Sequence, residues 1–501
     1  MNQLWKTPGR RISAGALLLC LCNSLTCESG GQVESGGPYQ ATWESLSQVN
    51  EAPDWFLDAK FGIYFHWGVY SVPAFGSEWY PRNMYREGSA EYQHHLKTYG
   101  AHVDFPYTRF VPLFFAEKFD AGEWADLFAR AGARFAGPVA EHHDGFAMWD
   151  SEVTPWNAKD RGPKRDITGE LASAIRSKGM KLITTFHHAR NNLWEFENRD
   201  GRWNGHYAHV KMSFPSLLEN PDDAILYGYM PRPQFLGFWK AKLVEVIDKY
   251  QPDIMWFDSW LDEIPDSVKT EYLAHYFNSA SRWGKEVVVT HKQEDLPQNV
   301  SILDLEKGRM GELTEFPWLT DDTISQGSWC YTEDLQIKPT SIVLHGLIDI
   351  VSKNGVLVLN ISPKADGSIP QNQQRVLLEI GDWLAKNGEA IYDTRPWKTY
   401  GEGPTKLKPG HFGGVTDATG YTVQDVRYTT RGRTLYAIVL GRPTTDRVTL
   451  TSLQEGDFDI DKISMVGSKA NIEWEWEPGG LSLLVPDEEI DNLAIVFKIE
   501  S

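Results

Sequence analysis

For most of its length the chain alternates short apolar runs with longer amphipathic ones. Apolar runs stand at FGIYFHWG (61–68), RFAGPVAEHH (134–143), KLITTFHH (181–188) and DIMWFDSW (253–260). Others follow at EVVVTHK (286–292), SILDLE (301–306), GSWCYTED (327–334) and GVLVLNIS (355–362). They have strand length, and they are continuous rather than alternating, as expected of strands covered on both faces. Between many of them lie GEWADLFARAGA, ITGELASAIRSKG, FWKAKLVEVIDKY, VKTEYLAHYFNSASRW and IVLHGLIDIVSKNG. Their helical spacing of apolar positions predicts helices packed on those strands. Strands alternating with helices pair in parallel, so eight such units predict an α/β fold over 39–394, a closed (β/α)8-like barrel.

Near residue 395 the period changes. YTVQDVRYTTRGRTLYAIVLG alternates apolar and polar positions around a Thr-Arg-Gly turn, which reads as a hairpin. RVTLTSL, ISMVGS, NIEWEWE, LSLLVP and LAIVFKI continue the alternation. Residues 395–501 therefore predict a small antiparallel β-sandwich.

The start of the chain follows neither pattern. Lys6, Arg10 and Arg11 precede the apolar run AGALLLCLC, and ESGGQVESGG follows. A basic start and a short apolar middle describe a secretion signal with a flexible leader, assigned to residues 1–38. The middle falls short of the ~20 residues that span a bilayer, so no integral membrane segment is expected in the mature chain. The protein is expected to be exported. Arg10–Arg11 is a poor match to a twin-arginine signal, and Cys27 a poor match to a lipid-attachment site. Cys20, Cys22 and Cys27 all lie in this region, so Cys330 stays alone in the body, where a small buried hydrophobe is its expected role.

Composition narrows the function. The 501 residues carry 49 Lys and Arg against 68 Asp and Glu, a formal charge of −19. That excess of acid argues against a nucleic-acid partner and against docking on an anionic membrane face. Twenty Trp, many of them beside His, Asp or Glu, suit a sugar, whose C–H faces stack on rings while its hydroxyls meet polar groups. The predicted strands also end alike: His66, then His142-His143, His187-His188, Asp258, Lys292 and Glu306. In a barrel those ends converge on one face, where active sites sit.

KFGIYFHWGVYSVPAFGSEWYPRNMY, AEHHDGFAMWDS, PDIMWFDSW and NGVLVLNISPKADGSIP, in this order, resemble the α-L-fucosidases of glycoside hydrolase family 29. The resemblance runs from about residue 40 to about residue 400. It implies a catalytic barrel followed by a β-sandwich, a fucosylated glycan as substrate, no cofactor or metal, and a retaining mechanism through a covalent fucosyl-enzyme. It implies Asp258 as the nucleophile, which is flanked here by Trp256 and Trp260. Such a carboxylate is already ionised at neutral pH. It implies sugar contacts from His66, Glu78, Trp79, His142, His143 and Trp256, and one from His187, which stands where the family usually has Tyr. No oligomeric state follows from the pattern.

Two further departures from the family matter more. Lys292 replaces a family Arg, keeping the charge but losing the bidentate fork. The general acid of many members is the Glu of a Trp-Glu pair, and that pair here is Trp318-Leu319. Leu cannot move a proton. Glu306, ending the sixth predicted strand, is the favoured replacement, with Glu78, Glu312 and Glu315 as alternatives. Leu319 also motivates a rival, a non-catalytic glycan-binding protein derived from a glycosidase. A metal-dependent barrel hydrolase is the other rival. Adjacent His residues on one strand point to opposite faces, which argues against a metal site.

Overall fold

Eight parallel strands, paired in chain order, close on themselves. They are β1 (Phe61–Phe65), β2 (Phe135–Glu141), β3 (Lys181–Phe186), β4 (Ile254–Phe257), β5 (Val288–Lys292), β6 (Ile302–Asp304), β7 (Trp318–Thr323) and β8 (Gly355–Ile361). β8 returns to pair with β1, Phe61 opposite Leu357 and Phe65 opposite Ile361. This computed structural model describes residues 37–192, 206–412, 420–488 and 490–501. The expected secretion signal with its cysteines and most of the leader, at 1–36, lies outside the described residues. No helix among the described residues is long and apolar enough to cross a membrane.

Helices cover the barrel outside. α1 (Ala121–Arg130) starts at Asp120, whose carboxylate accepts the Glu123 N–H, and buries Trp124, Leu127 and Phe128. α2 (Ile167–Ser177) is capped in the same way by Asp166. α3 (Arg232–Tyr250), α4 (Asp266–Trp283), α5 (Thr340–Ser352) and α6 (Gln371–Asn387) follow. α6 is an amphipathic helix that the apolar runs did not single out.

Inside, the period of two along each strand sorts the residues. Ile63 and Phe65 pack outward against the helices, while Tyr64 faces the interior. Met255 and Phe257 go out while Ile254 and Trp256 go in. The interior layer is Tyr64, Val139, Ile183, Trp256, Val288, Ile302, Leu319, Val356 and Val358. Continuing that parity past the layer puts His66, His187, Asp258, Lys292, Glu306 and Asp321 at one end of the barrel.

The seventh strand corrects the sequence expectation. It is Trp318–Thr323, and the GSWCYTED run instead forms a loop tied to the barrel by a bridge between His66 and Cys330 and by Asn360 and Ser362, which donate to the Trp329 carbonyl. WLTDDT carries two acidic residues, which hid it. Asp321 is tolerated inside because Lys292 Nζ lies 2.9 Å and Tyr64 Oη 3.0 Å from its carboxylate.

The C-terminal region forms two antiparallel sheets. β9 (Arg395–Glu402), β10 (Val426–Arg431), β11 (Thr434–Val439), β13 (Lys462–Met465) and β16 (Ile495–Glu500) form one, ordered β13-β16-β11-β10-β9. β12 (Arg447–Leu450), β14 (Trp474–Glu477) and β15 (Gly480–Leu484) form the other, ordered β12-β15-β14. The predicted hairpin is β10–β11, turning at Gly432, whose φ of 59° is open to glycine without a β-carbon penalty. Val426, Tyr428, Leu435, Leu450, Leu481 and Phe497 fill the core between the sheets. Against the barrel, Asp349 of α5 meets Arg427 at 2.6 Å and Lys353 at 3.0 Å, all three buried. Burial opposes the charge on Asp349, and the cations of Lys353, Arg427 and Arg309 outweigh it, holding the carboxyl well below its ordinary range.

Candidate active site

The strand ends enclose a cavity of about 480 Å³. His66, Glu78, Trp79, His142, His143, His187, Trp256, Asp258, Lys292 and Glu306 all line it. Every expected site residue therefore reaches one space.

Asp258 follows directly on β4, its N–H donating to the Phe186 carbonyl at 3.1 Å. His143 Nε2 lies 3.2 Å from Asp258 Oδ2. Burial opposes the charge on Asp258, yet the carboxyl is held well below its ordinary range by the His143 hydrogen bond and by His187, Lys292 and Arg190. Burial also depresses His143 and His187, so both imidazoles are neutral at neutral pH. The His143 hydrogen bond and the cations of Lys292 and Arg190 all favour the ionised form of Asp258.

His66, His142 and His187 gather on the other wall, each offering a ring nitrogen within 4.8 Å of the others. The parity argument against such convergence applied to one strand at a time. Three strand ends supply these rings. Both members of the His142-His143 pair reach the cavity because β2 stops at Glu141, and alternation stops with it. His66 Nδ1 and backbone N–H sit 2.8 Å from Asn360 Oδ1. Burial brings the His66 imidazole down to about 3 and puts His142 well below its ordinary value. His142 Nδ1 and His187 Nδ1 are buried with no hydrogen-bond partner among the described residues. Neutral rings with spare nitrogens can bind sugar hydroxyls, and the same trio could also ligate a cation.

Glu78 is anchored by the Trp329 N–H at 3.0 Å and the Ser328 hydroxyl at 3.2 Å. Burial pushes its carboxyl up. The aromatic walls are Trp79, Trp256 and Trp329, with Trp79 against His143 and Trp329 stacked on His66.

Lys292 organises the third wall. Its ammonium lies 2.9 Å from Asp321, 3.2 Å from Glu306 and 3.3 Å from Asp304. Trp256 Nε1 donates to Asp304 at 3.1 Å. Burial opposes the charge on Lys292, but Asp321, Glu306, Asp304 and Asp258 outweigh it and hold the ammonium well above its ordinary value. Burial and then Asp304 push Asp321 well up, and burial raises Asp304. Several buried carboxylates share this one lysine and oppose one another's ionisation, which holds Asp304 and Asp321 above their ordinary range. The single charge of Lys replaces a bidentate fork with a hub that touches several carboxylates.

Of the four acid candidates, Glu78 and Glu306 line the cavity and two do not. Glu306 lines the cavity, half-exposed, on the loop after β6. Glu312 and Glu315 are exposed and absent from the lining. Leu319 is fully buried in the barrel interior, a layer below.

Arg190, Ser259, Trp260, Gln293, Lys307, Asp321, Trp329 and Phe412 also line the cavity. Sequence reasoning assigned none of them a contact. Asp321 had a signal, since it lies two residues beyond Leu319 on an inward parity. Arg190, whose guanidinium lies over Trp260 at 4.3 Å, had only its place after the His187-His188 pair. Phe412 had none, because it comes from beyond β9.

The chain was compared with known proteins. The family model described as alpha-L-fucosidase matches residues 26–389, and the model of the alpha-L-fucosidase C-terminal domain matches residues 420–500. Human tissue alpha-L-fucosidase is 31% identical over 510 residues, covering 96% of this chain and 95% of that protein. Human plasma alpha-L-fucosidase is 30% identical, covering 91% of this chain and 90% of its own. The solved structure of Thermotoga maritima alpha-fucosidase in complex with fucose superposes with a TM-score of 0.73 at 28% identity, covering 92% of this chain and 100% of that one.

Proposed function

Since this chain belongs to the α-L-fucosidases of glycoside hydrolase family 29, we propose that it releases terminal α-L-fucosyl residues from glycans with retention, through a fucosyl ester on Asp258. The observation that carries this reading is the pairing of two carboxylates in one cavity. Asp258, kept ionised, and Glu306, beside Lys292, both face the space.

The chemistry follows from the geometry. Asp258 attacks the anomeric carbon while Glu306 delivers a proton to the leaving oxygen. The C–O bond to the aglycone breaks as the ester forms, and its electron pair leaves with that proton. Glu306, now ionised, takes a proton from water, which opens the ester from the face the aglycone left. Lys292 stabilises the ionised form of Glu306 in this second half. His66, His142, His187 and Glu78 bind the fucose hydroxyls, and such bonds strengthen as the ring flattens toward an oxocarbenium ion. The tryptophans cover the ring and its methyl group.

The experiment is to inactivate the enzyme with a fluorinated fucosyl inactivator and map the labelled peptide. A label on Asp258, with the α-anomer released first in turnover, supports the reading. A label elsewhere or a β-anomer rejects it. The same reading takes the leader within residues 1–38 as removed on export, and residues 39–394 as the catalytic unit ahead of the sandwich. N-terminal sequencing of protein secreted by its host tests the leader.

A further inference from the structure

One wall of the cavity does not come from the barrel. The chain leaves β9, passes Pro409 and runs back against the loop that carries Glu306. Gly410 N–H donates to the Arg309 carbonyl at 2.9 Å. Glu306 N–H donates to His411 Nδ1 at 3.1 Å, and Phe412 N–H donates to the Glu306 carbonyl at 2.8 Å. Arg309 Nη1 donates to the Tyr421 hydroxyl at 3.0 Å, tying the far end of the loop to the same region. Phe412 itself is held with φ at 57°, a left-handed conformation that a β-carbon disfavours, and the residue is 54% exposed while lining the cavity. An aromatic ring in that state covers no core.

We propose that Phe412 forms the leaving-group subsite and selects glycosides in which fucose is attached to a hexopyranose with an apolar C–H face. This rests on Glu306 as the proton donor. The group that protonates the leaving oxygen stands on the side where the aglycone departs, and Phe412 is hydrogen-bonded to that same residue. The same cavity is lined by Ser259, Gln293, Lys307 and Ser328, polar groups that suit a hydroxylated ligand. An aromatic face with polar groups in the same cavity matches a pyranose, with a C–H face to stack and hydroxyls on its edge.

Steady-state rates test it on the full-length enzyme. The substrates are methyl α-L-fucoside, whose aglycone cannot stack, and fucosyl-galactose and fucosyl-N-acetylglucosamine disaccharides. In Phe412→Ala, kcat/KM for the best disaccharide should fall about tenfold further than for the methyl glycoside. Phe412→Tyr should recover the lost selectivity. Equal falls for both substrate types, as expected if the strap only supports Glu306, would overturn the subsite, and so would no fall for either. A wild-type enzyme that cleaves the methyl glycoside but no disaccharide would also overturn it. Failure of the wild type on every fucoside refutes the fucosidase reading itself and is thereby distinguished.

Discussion

Asp258 and Glu306 face one cavity but are held by differently built regions. Asp258 stands at the end of a strand buried on both faces, with His143, His187 and Lys292 around it, each from another strand of the barrel. Glu306 follows a strand of three residues and depends on its neighbours: Leu305 N–H bonds the Leu319 carbonyl and Lys307 N–H the Asp321 carbonyl. Its other side is held by His411 and Phe412 from beyond β9. A group that attacks an anomeric carbon needs a fixed position, which a closed barrel supplies. A group that must serve different aglycones can sit on a loop braced by a separate region. The contrast predicts that damage to the C-terminal region reaches Glu306 before it reaches Asp258.

The largest expected effect is at the rigid end. Asp258→Gly should lower kcat by ~10,000-fold or more with the melting temperature little changed, and azide should restore turnover by replacing the missing nucleophile. Loss of folding without azide rescue would mean that the residue is structural. Glu306→Ala comes next. Glycans with poor leaving groups should slow by about 100- to 10,000-fold, and activated aryl fucosides far less, because only the former need a proton. Equal slowing of the two would remove Glu306 from the acid role.

The brace is tested through Arg427→Met. Breaking a buried ion pair costs about 3 kcal/mol, which should appear as a lower thermal midpoint by calorimetry. Because the folded-state value of Asp349 is depressed, its stabilising contribution is complete above its unfolded value of about 4 and is lost as pH falls through the lower folded value. Wild type and variant should therefore converge only in strong acid. The smallest effect concerns charge. Lys292→Gln removes a cation that keeps Asp258 ionised, so the acid limb of kcat/KM should move up by about one pH unit, while Lys292→Arg should leave it in place. An unmoved limb in Lys292→Gln would assign it to another group.

How much was legible depended on where each signal lay. His66, His187, Asp258, Lys292 and Glu306 end apolar runs on their inward parity, so the same pattern that marks the strand marks the site. β7 was misplaced because its inward residue is Asp321, and a charged residue breaks an apolar run unless its partners are known. Those partners, Tyr64 and Lys292, come from β1 and β5. Leu319 belongs to β7, one layer below the cavity. Once β7 is in place it is an ordinary interior residue.

The sequence by itself determined the barrel, the antiparallel sheets and the set of side chains at the strand ends. Strand period and helix period are local properties, written into consecutive residues. Tertiary structure decided that Glu78 and Glu306 share a cavity with Asp258 while Glu312 and Glu315 do not, that three histidines converge, and that Phe412 reaches the cavity from beyond β9. Those outcomes depend on closure of the sheet and on a chain returning from far along the sequence, and no local spacing encodes such a distance.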